Sequence, residues 1–332
     1  MSFAALERRT PPLVALALAL ALAVVAVSTS AILVRWSAAP SAVKALYRVV
    51  FTTALLLPWA LTRYRADFRR LRPRDALVAG VTGIALAVHF AAWFESLAWT
   101  SVAASVTLVQ SQPLFVALGA WALLDERVTR RRVVGILVAV VGMVAMSLGD
   151  FLSGVALAGQ RPLYGNALAV LGAVAAAGYV LAGRSVRQRV SLVPYVTVVY
   201  TACAVTLLAL VVWEGQALVG YPPREWLLFA AMAVGPGLFG HTVINWVLAH
   251  VDSSVVSVSL LGEPIGSTLL ALVLLPGEVP SLPTVVGGAV VLLGIAVTTT
   301  GAAAADRGSG DVGESDPPDD VERATVGVDE QD

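Results

Sequence analysis

Residues Ser253–Glu278 read SSVVSVSLLGEPIGSTLLALVLLPGE, and residues Ser101–Glu126 read SVAASVTLVQSQPLFVALGAWALLDE. Each stretch is long and apolar enough to cross a bilayer as a helix. Each places a polar residue beside a proline near its middle, Glu263 with Pro264 and Gln112 with Pro113. Setting Pro113 on Pro264 also sets Leu97-Ala98 on Leu248-Ala249 and Gln112 on Glu263. With one residue inserted, Glu126 meets Glu278, and Gly135 and Gly142 meet Gly287 and Gly294. This agreement in spacing marks an internal duplication.

The composition fits a membrane setting. The chain has 332 residues, 58% hydrophobic and 13% charged, where a soluble domain carries about 25% charged residues. Its mean hydropathy is +0.82. The formal net charge of +0 is a cancellation between an acidic tail from Ala302 onward and an arginine-rich remainder. The single cysteine, Cys203, excludes an internal disulfide and any cysteine metal cluster. His89, His241 and His250 lack zinc-ligand spacing. No metal and no cofactor is therefore expected.

Ten apolar runs read as transmembrane helices, at about 13–34, 41–61, 75–94, 101–122, 133–149, 165–184, 192–213, 226–247, 253–275 and 284–301. Arginine sets the orientation. With the N-terminus inside, the inner loops collect Arg8 and Arg9, the six arginines between Arg63 and Arg74, Arg127 and Arg130 to Arg132, and Arg184, Arg187 and Arg189. The outer side keeps only Arg35, Arg161 and Arg224. All eight tryptophans fall near predicted helix ends, where an amphipathic ring prefers to sit. The expected fold is thus an all-α integral membrane protein of ten transmembrane helices arranged as two inverted five-helix repeats. An odd number of spans per copy inverts the second copy, and inverted repeats place a binding site near the midplane with access alternating between sides. The expected organisation is a cytoplasmic N-terminus (1–12), a first repeat (13–149), an outer linker (150–163), a second repeat (164–301) and an acidic, disordered cytoplasmic tail (302–332). The expected location is the cell membrane, multi-pass, with both termini cytoplasmic.

The repeated pattern is small residues leading into a proline, an apolar run ending in acid, a short loop and a pair of glycines seven apart. It occurs at Pro113–Glu126 with Gly135 and Gly142, and again at Glu263-Pro264–Glu278 with Gly287 and Gly294. This resembles the EamA-type proteins of the drug/metabolite transporter superfamily, over nearly all of residues 13–301. The resemblance implies ten helices, cytoplasmic termini and export or exchange of small metabolites or toxic compounds. It does not imply a particular substrate.

Glu263 is the leading candidate for chemistry. At about 1.5 Å per residue it lies roughly 15 Å from the inner helix end, near the midplane. A carboxylate there is costly unless paired, protonated or hydrated, and marks a substrate or proton site. The competing reading is a glutamate that caps backbone groups at a kink. Pro264 and Pro113 are expected to kink their helices. Gly262 and Gly266 are expected to admit a close neighbour. Gln110 and Gln112, mirrored before Pro113, read either as substrate hydrogen-bonding groups or as interhelical ties. Arg48 lies about 10 Å into the second helix and reads as a holder of an anionic substrate group or as a partner of Glu263 or Glu95. The resemblance also places an arginine in this helix. Lys44, one turn earlier, reads as snorkelling to the interface.

Other residues carry plainer readings. Glu95, His89, His241 and Asn245 read as interfacial or bonded to neighbours. Glu126 and Glu278 read as surface helix ends paired with arginines or capping loops. Tyr47, Trp93, Tyr179, Tyr200 and Trp246 read mainly as packing, with a cavity lining as the alternative. GPGLFG at Gly235–Gly240 matches G-x-G-x-x-G but lies inside a span and follows no strand, so a nucleotide-binding reading fails. No Walker loop, nucleophile elbow or metal cluster is present in the sequence, and no enzymatic activity is expected. The inner arginines answer to orientation and anionic lipid rather than to nucleic acid. The reading is a secondary transporter whose partners are a small-molecule substrate and the bilayer, with a second copy of the chain as a candidate partner and proton coupling through Glu263. The alternative is a non-transporting membrane binding or accessory protein.

Overall fold

Prolines set many of the helix boundaries. Pro12 and Pro40 directly precede α1 (Leu13–Trp36) and α2 (Ser41–Arg63). Pro73 opens α4 (Pro73–Trp99), which follows the short helix α3 (Arg65–Arg70). A proline in the first turn gives up an N–H that has no helical partner there anyway. The chain continues as α5 (Val102–Val109), α6 (Gln112–Leu124), α7 (Arg130–Leu152), α8 (Pro162–Arg187) and α9 (Leu192–Trp213). Then α10 (Pro223–Met232) runs into a π-helical segment (Ala233–Thr242) and α11 (Val243–Val247). The last two helices are α12 (Gly262–Leu274) and α13 (Leu282–Gly310). These elements come from a computed structural model, which describes residues 12–124, 129–152, 161–187, 189–247 and 259–310.

Among the described residues there is no strand, and seven helical stretches are long and apolar enough to cross a membrane. Two shorter apolar helices, Gly262–Leu274 and Leu282–Thr298, accompany them. Large aliphatic side chains stand exposed on the outside of the bundle, such as Leu18, Leu22 and Val25 on α1 and Leu137, Val141 and Val144 on α7. In a bilayer these faces meet acyl chains. The helix of the last span continues to Gly310, past the boundary drawn at Ala302, because the run Ala302–Ala305 favours helix. Glu126, His250, the first part of the 253–275 run, linker residues 153–160 and the tail beyond 310 lie outside the described residues. So do the side chains of His241, Asn245 and Trp246.

Two helix interruptions lie just ahead of prolines. One falls at Gln110–Ser111 between α5 and α6, before Pro113. The other is a turn at Leu261 ahead of α12, before Pro264. Proline has no N–H for the carbonyl four residues back, and its ring crowds that carbonyl. The π-helical segment holds Pro236 among three glycines. There the same missing donor is absorbed by widening the turn rather than by breaking it.

Glycine decides the closest packing. Gly135 faces Gly294, and Gly142 faces Gly287, so α7 and α13 run antiparallel in contact. A Cβ on any of the four would lie 2.6–2.9 Å from a partner glycine's carbonyl oxygen. The remaining helices pair in a regular scheme. α4 packs on α8 and α9, while the π-helical segment packs on α1 and α2. α2 and α9 pack on each other, α5 and α6 pack on α8, and α12 packs on α1. The largest core cluster forms where α2, α4 and α9 meet, around Leu46, Val49, Phe90, Phe94, Val199 and Leu207.

Candidate functional site

The two interrupted helices meet at their breaks. Gln110, the C-cap of α5, donates from Nε2 to Glu263 Oε2 at 2.5 Å. Glu263 sits in the first turn of α12, where the helix dipole favours a carboxylate. Its helix is held to α1 by small residues. Ser267 Oγ donates to Ser28 O at 3.0 Å, and Gly266 lies against the Ser28 side chain. Gln112 begins α6, and among the described residues its side chain makes no hydrogen bond. The structure thus joins Gln110 to Glu263 and leaves Gln112 apart from them.

Arg48 is 3% exposed, on α2. Its Nη1 donates to Ser30 Oγ on α1 at 3.0 Å. The guanidinium lies 4.7 Å from the ring centre of Phe90, 5.6 Å from Phe94 and 6.0 Å from Trp93, all on α4. Such rings attract a cation through their negative faces. Arg48 and Glu263 feel each other's charge through space, yet no ion pair joins them. A pairing with Glu95 is likewise not made, because Glu95 accepts from Trp99 Nε1 at 2.7 Å at the far end of α4. Beside Arg48 lies a small cavity of about 20 Å³ lined by Arg48, Val49, Thr52, Phe90, Tyr200 and Gly237. Gly237 comes from the GPGLFG stretch, so that stretch serves packing and the cavity wall.

The other polar candidates have local roles. Lys44 donates to Val34 O at 3.1 Å. Together with Glu95, Glu214 and Gln216 it lies on a groove of about 770 Å³ that is otherwise mostly apolar. His89 Nδ1 bonds the carbonyl of Gly172 at 2.9 Å, which fixes the proton on Nδ1. Tyr47 donates to Leu218 O at 2.5 Å and stacks on Phe229 beside Trp226.

Glu278 departs from the surface role expected of it, being 4% exposed. Gly277 adopts φ 78°, a left-handed turn that glycine takes without strain, and the turn directs the next residue inward. Glu278 Oε2 then pairs with Arg35 Nη2 at 2.6 Å, and Oε1 accepts from the backbone N–H of Val102 at 2.6 Å. Arg35 also donates to Leu97 O at 2.6 Å. One carboxylate therefore ties α1, the end of α4 and the start of α5 to the loop before α13.

Two further buried acids escaped the sequence reading. Asp75 pairs with Arg189 at 3.0 Å, binding the start of α4 to the loop after α8. Glu225 accepts from Ser37 Oγ and from Ala38 N, binding the start of α10 to the loop after α1. Both are under 5% exposed, at 4% and 3%. The signal was present, because Pro73-Arg74-Asp75 and Pro223-Arg224-Glu225 repeat one tripeptide pattern at two helix starts.

The family model of the EamA-like transporter family matches residues 13–148 and 163–300. An uncharacterized transporter of Archaeoglobus fulgidus is 27% identical over 234 residues, 68% of this chain and 79% of its own length. A second uncharacterized transporter of that organism is 22% identical over 262 residues, 77% of this chain and 86% of its own. A protein of known crystal structure superposes with a TM-score of 0.58 at 25% identity, covering 88% of this chain and 99% of that one.

Proposed function

Because the chain belongs to the EamA-like transporter family, we propose that this multi-pass membrane protein is a secondary transporter that exports or exchanges a small metabolite or drug-like solute across the cell membrane by alternating access. Ten spans form two inverted five-helix halves, with both termini cytoplasmic. The solute binds near the midplane between Glu263, Gln110 and Arg48, with Gln112 close to the path. Glu263 takes up and releases the coupling proton.

The observation that carries this reading is the hydrogen bond from Gln110 to Glu263. It joins the two proline-linked breaks, one from each copy of the duplication, and broken helices are where transporters build midplane sites. The glycine seam supports the inversion. Gly135 aligns with Gly287 in sequence but touches Gly294, and Gly142 aligns with Gly294 but touches Gly287. Exchanged partners of this kind are what a two-fold axis between antiparallel copies produces. The pairing scheme agrees with it. α4 on α8 answers to the π-helical segment on α1, and Asp75 holding the loop after α8 answers to Glu225 holding the loop after α1.

The test is proton flux in liposomes of the purified protein, screened against pooled amino acids, nucleosides, organic acids and cationic drugs. One pool should drive a proton movement that Glu263→Gln removes while the variant stays folded. Full coupled transport by Glu263→Gln would sink the proton role. The second reading, a non-transporting accessory protein, draws on the small volume beside Arg48, about 20 Å³. Glu263→Cys in a Cys203→Ser background separates the two. Labelling that switches sides with state favours transport, and no labelling in any state favours the accessory role.

A further inference from the structure

The Arg48 guanidinium is the least compensated charge among the buried groups described above. It has five N–H donors and, among the described residues, makes one side-chain hydrogen bond, to Ser30. Among the described residues no carboxylate forms an ion pair with it. The rings of Phe90, Phe94 and Trp93 attract it but bring no counter-charge. A buried cation in this condition is costly, and a bound anion removes the cost.

The adjoining cavity has the matching size and polarity. At about 20 Å³ it has room for one water-sized or ion-sized particle. Thr52, on its wall, has committed its hydroxyl proton to Arg48 O at 2.8 Å, which leaves its oxygen as the one side-chain acceptor set against the donors of Arg48 and Tyr200. Tyr200 brings a phenol O–H whose side chain has no hydrogen bond among the described residues. Phe90, Val49 and Gly237 add no side-chain acceptor. The free polar groups are therefore chiefly donors around a positive charge, which selects an anion over a cation.

We propose that the cavity beside Arg48 is a binding site for a small monovalent anion of halide size, with chloride as its biological occupant. The titratable groups within electrostatic reach of Arg48 are Glu263 on α12, Tyr200 and Cys203 on α9 and His89 on α4. Of these, Glu263 competes with the anion for the same positive charge. Neutralising Glu263 strengthens anion binding, and by linkage the bound anion favours neutral Glu263. Anion occupancy and the protonation of Glu263 are thus coupled. The site itself does not require the chain to move a solute, so its test is read without transport.

The test is thermal unfolding of the purified full-length protein in detergent. Sodium chloride or bromide replaces sodium gluconate at constant ionic strength. The unfolding midpoint should rise saturably with either halide and stay level in gluconate alone. Arg48→Gln should abolish the response. Because a buried arginine variant need not fold, two milder variants carry the decision. Tyr200→Phe, which removes one hydroxyl, should raise the half-saturating chloride concentration about tenfold. Glu263→Gln should lower it roughly fivefold. Equal stabilisation by chloride and gluconate overturns the proposal. So does a chloride response that neither Tyr200→Phe nor Glu263→Gln moves.

Discussion

Replacing Glu278 by alanine removes two interactions at once. The carboxylate pairs with Arg35 at 2.6 Å and accepts the Val102 N–H at 2.6 Å, with the acid only 4% exposed and the arginine 20%. Removing one member of a buried pair costs about 3–5 kcal/mol, because the other charge is left uncompensated. Arg35 keeps its bond to Leu97 O and some contact with solvent, which places the loss toward the lower end, about 3 kcal/mol. At about 2–4 °C per kcal/mol for a chain of this size, the unfolding midpoint should fall by roughly 6–12 °C. Glu278→Gln retains an oxygen for the Val102 N–H and should lose only about half as much. A double-mutant cycle with Arg35→Met isolates the pair, and a coupling of about 1 kcal/mol or more is expected. The assay is thermal unfolding followed by tryptophan fluorescence in detergent. A Glu278→Ala midpoint within about 2 °C of the native one, or strict additivity in the cycle, refutes the reasoning.

Gly142→Val and Gly287→Val should each destabilise by about 1–3 kcal/mol, since the new side chain meets a facing helix backbone rather than a movable side chain; matching loss at Gly135 and Gly294 in the same unfolding assay checks that the seam behaves as one unit. Asp75→Asn and Glu225→Gln loosen opposite ends of the proposed inverted pair. Impermeant maleimide labelling of single cysteines placed beside each should rise on one side of the membrane for the first variant and on the other side for the second. Trp93 buries an indole N–H with no partner among the described residues, so Trp93→Phe sheds an unsatisfied donor and should cost less than about 1 kcal/mol, measured by unfolding midpoint.

Much of the fold was legible because bilayer solvation is a coarse and strong constraint. A run such as Leu13–Trp36 has to be a helix in lipid, whatever its neighbours, since no water satisfies its backbone. The breaks before Pro113 and Pro264 were equally readable, because the missing N–H is a property of one residue and acts locally. The candidate site was legible in part. Glu263, Gln110 and Arg48 stood out as polar residues inside apolar runs, but their partners did not. The burial of Asp75 and Glu225 is hard to read from sequence, because an acid in the first turn of a helix is ordinarily explained by the helix dipole. The depth of Glu278 was hidden because its burial depends on the Gly277 turn and on where Arg35 and Val102 arrive from other parts of the chain.

By itself the sequence determined the apolar helices and the polar residues placed within them, and its spacing pointed to the proposed duplication, since these follow from local pattern and from transfer of each segment out of water. Only the tertiary structure decided which polar groups meet. It joined Gln110 to Glu263, set Arg48 beneath aromatic rings with no carboxylate partner among the described residues, and paired Gly135 with Gly294 and Gly142 with Gly287 across α7 and α13. Contacts between residues more than a hundred positions apart arise from helix packing, and packing depends on the shapes of all the surfaces together rather than on any one stretch.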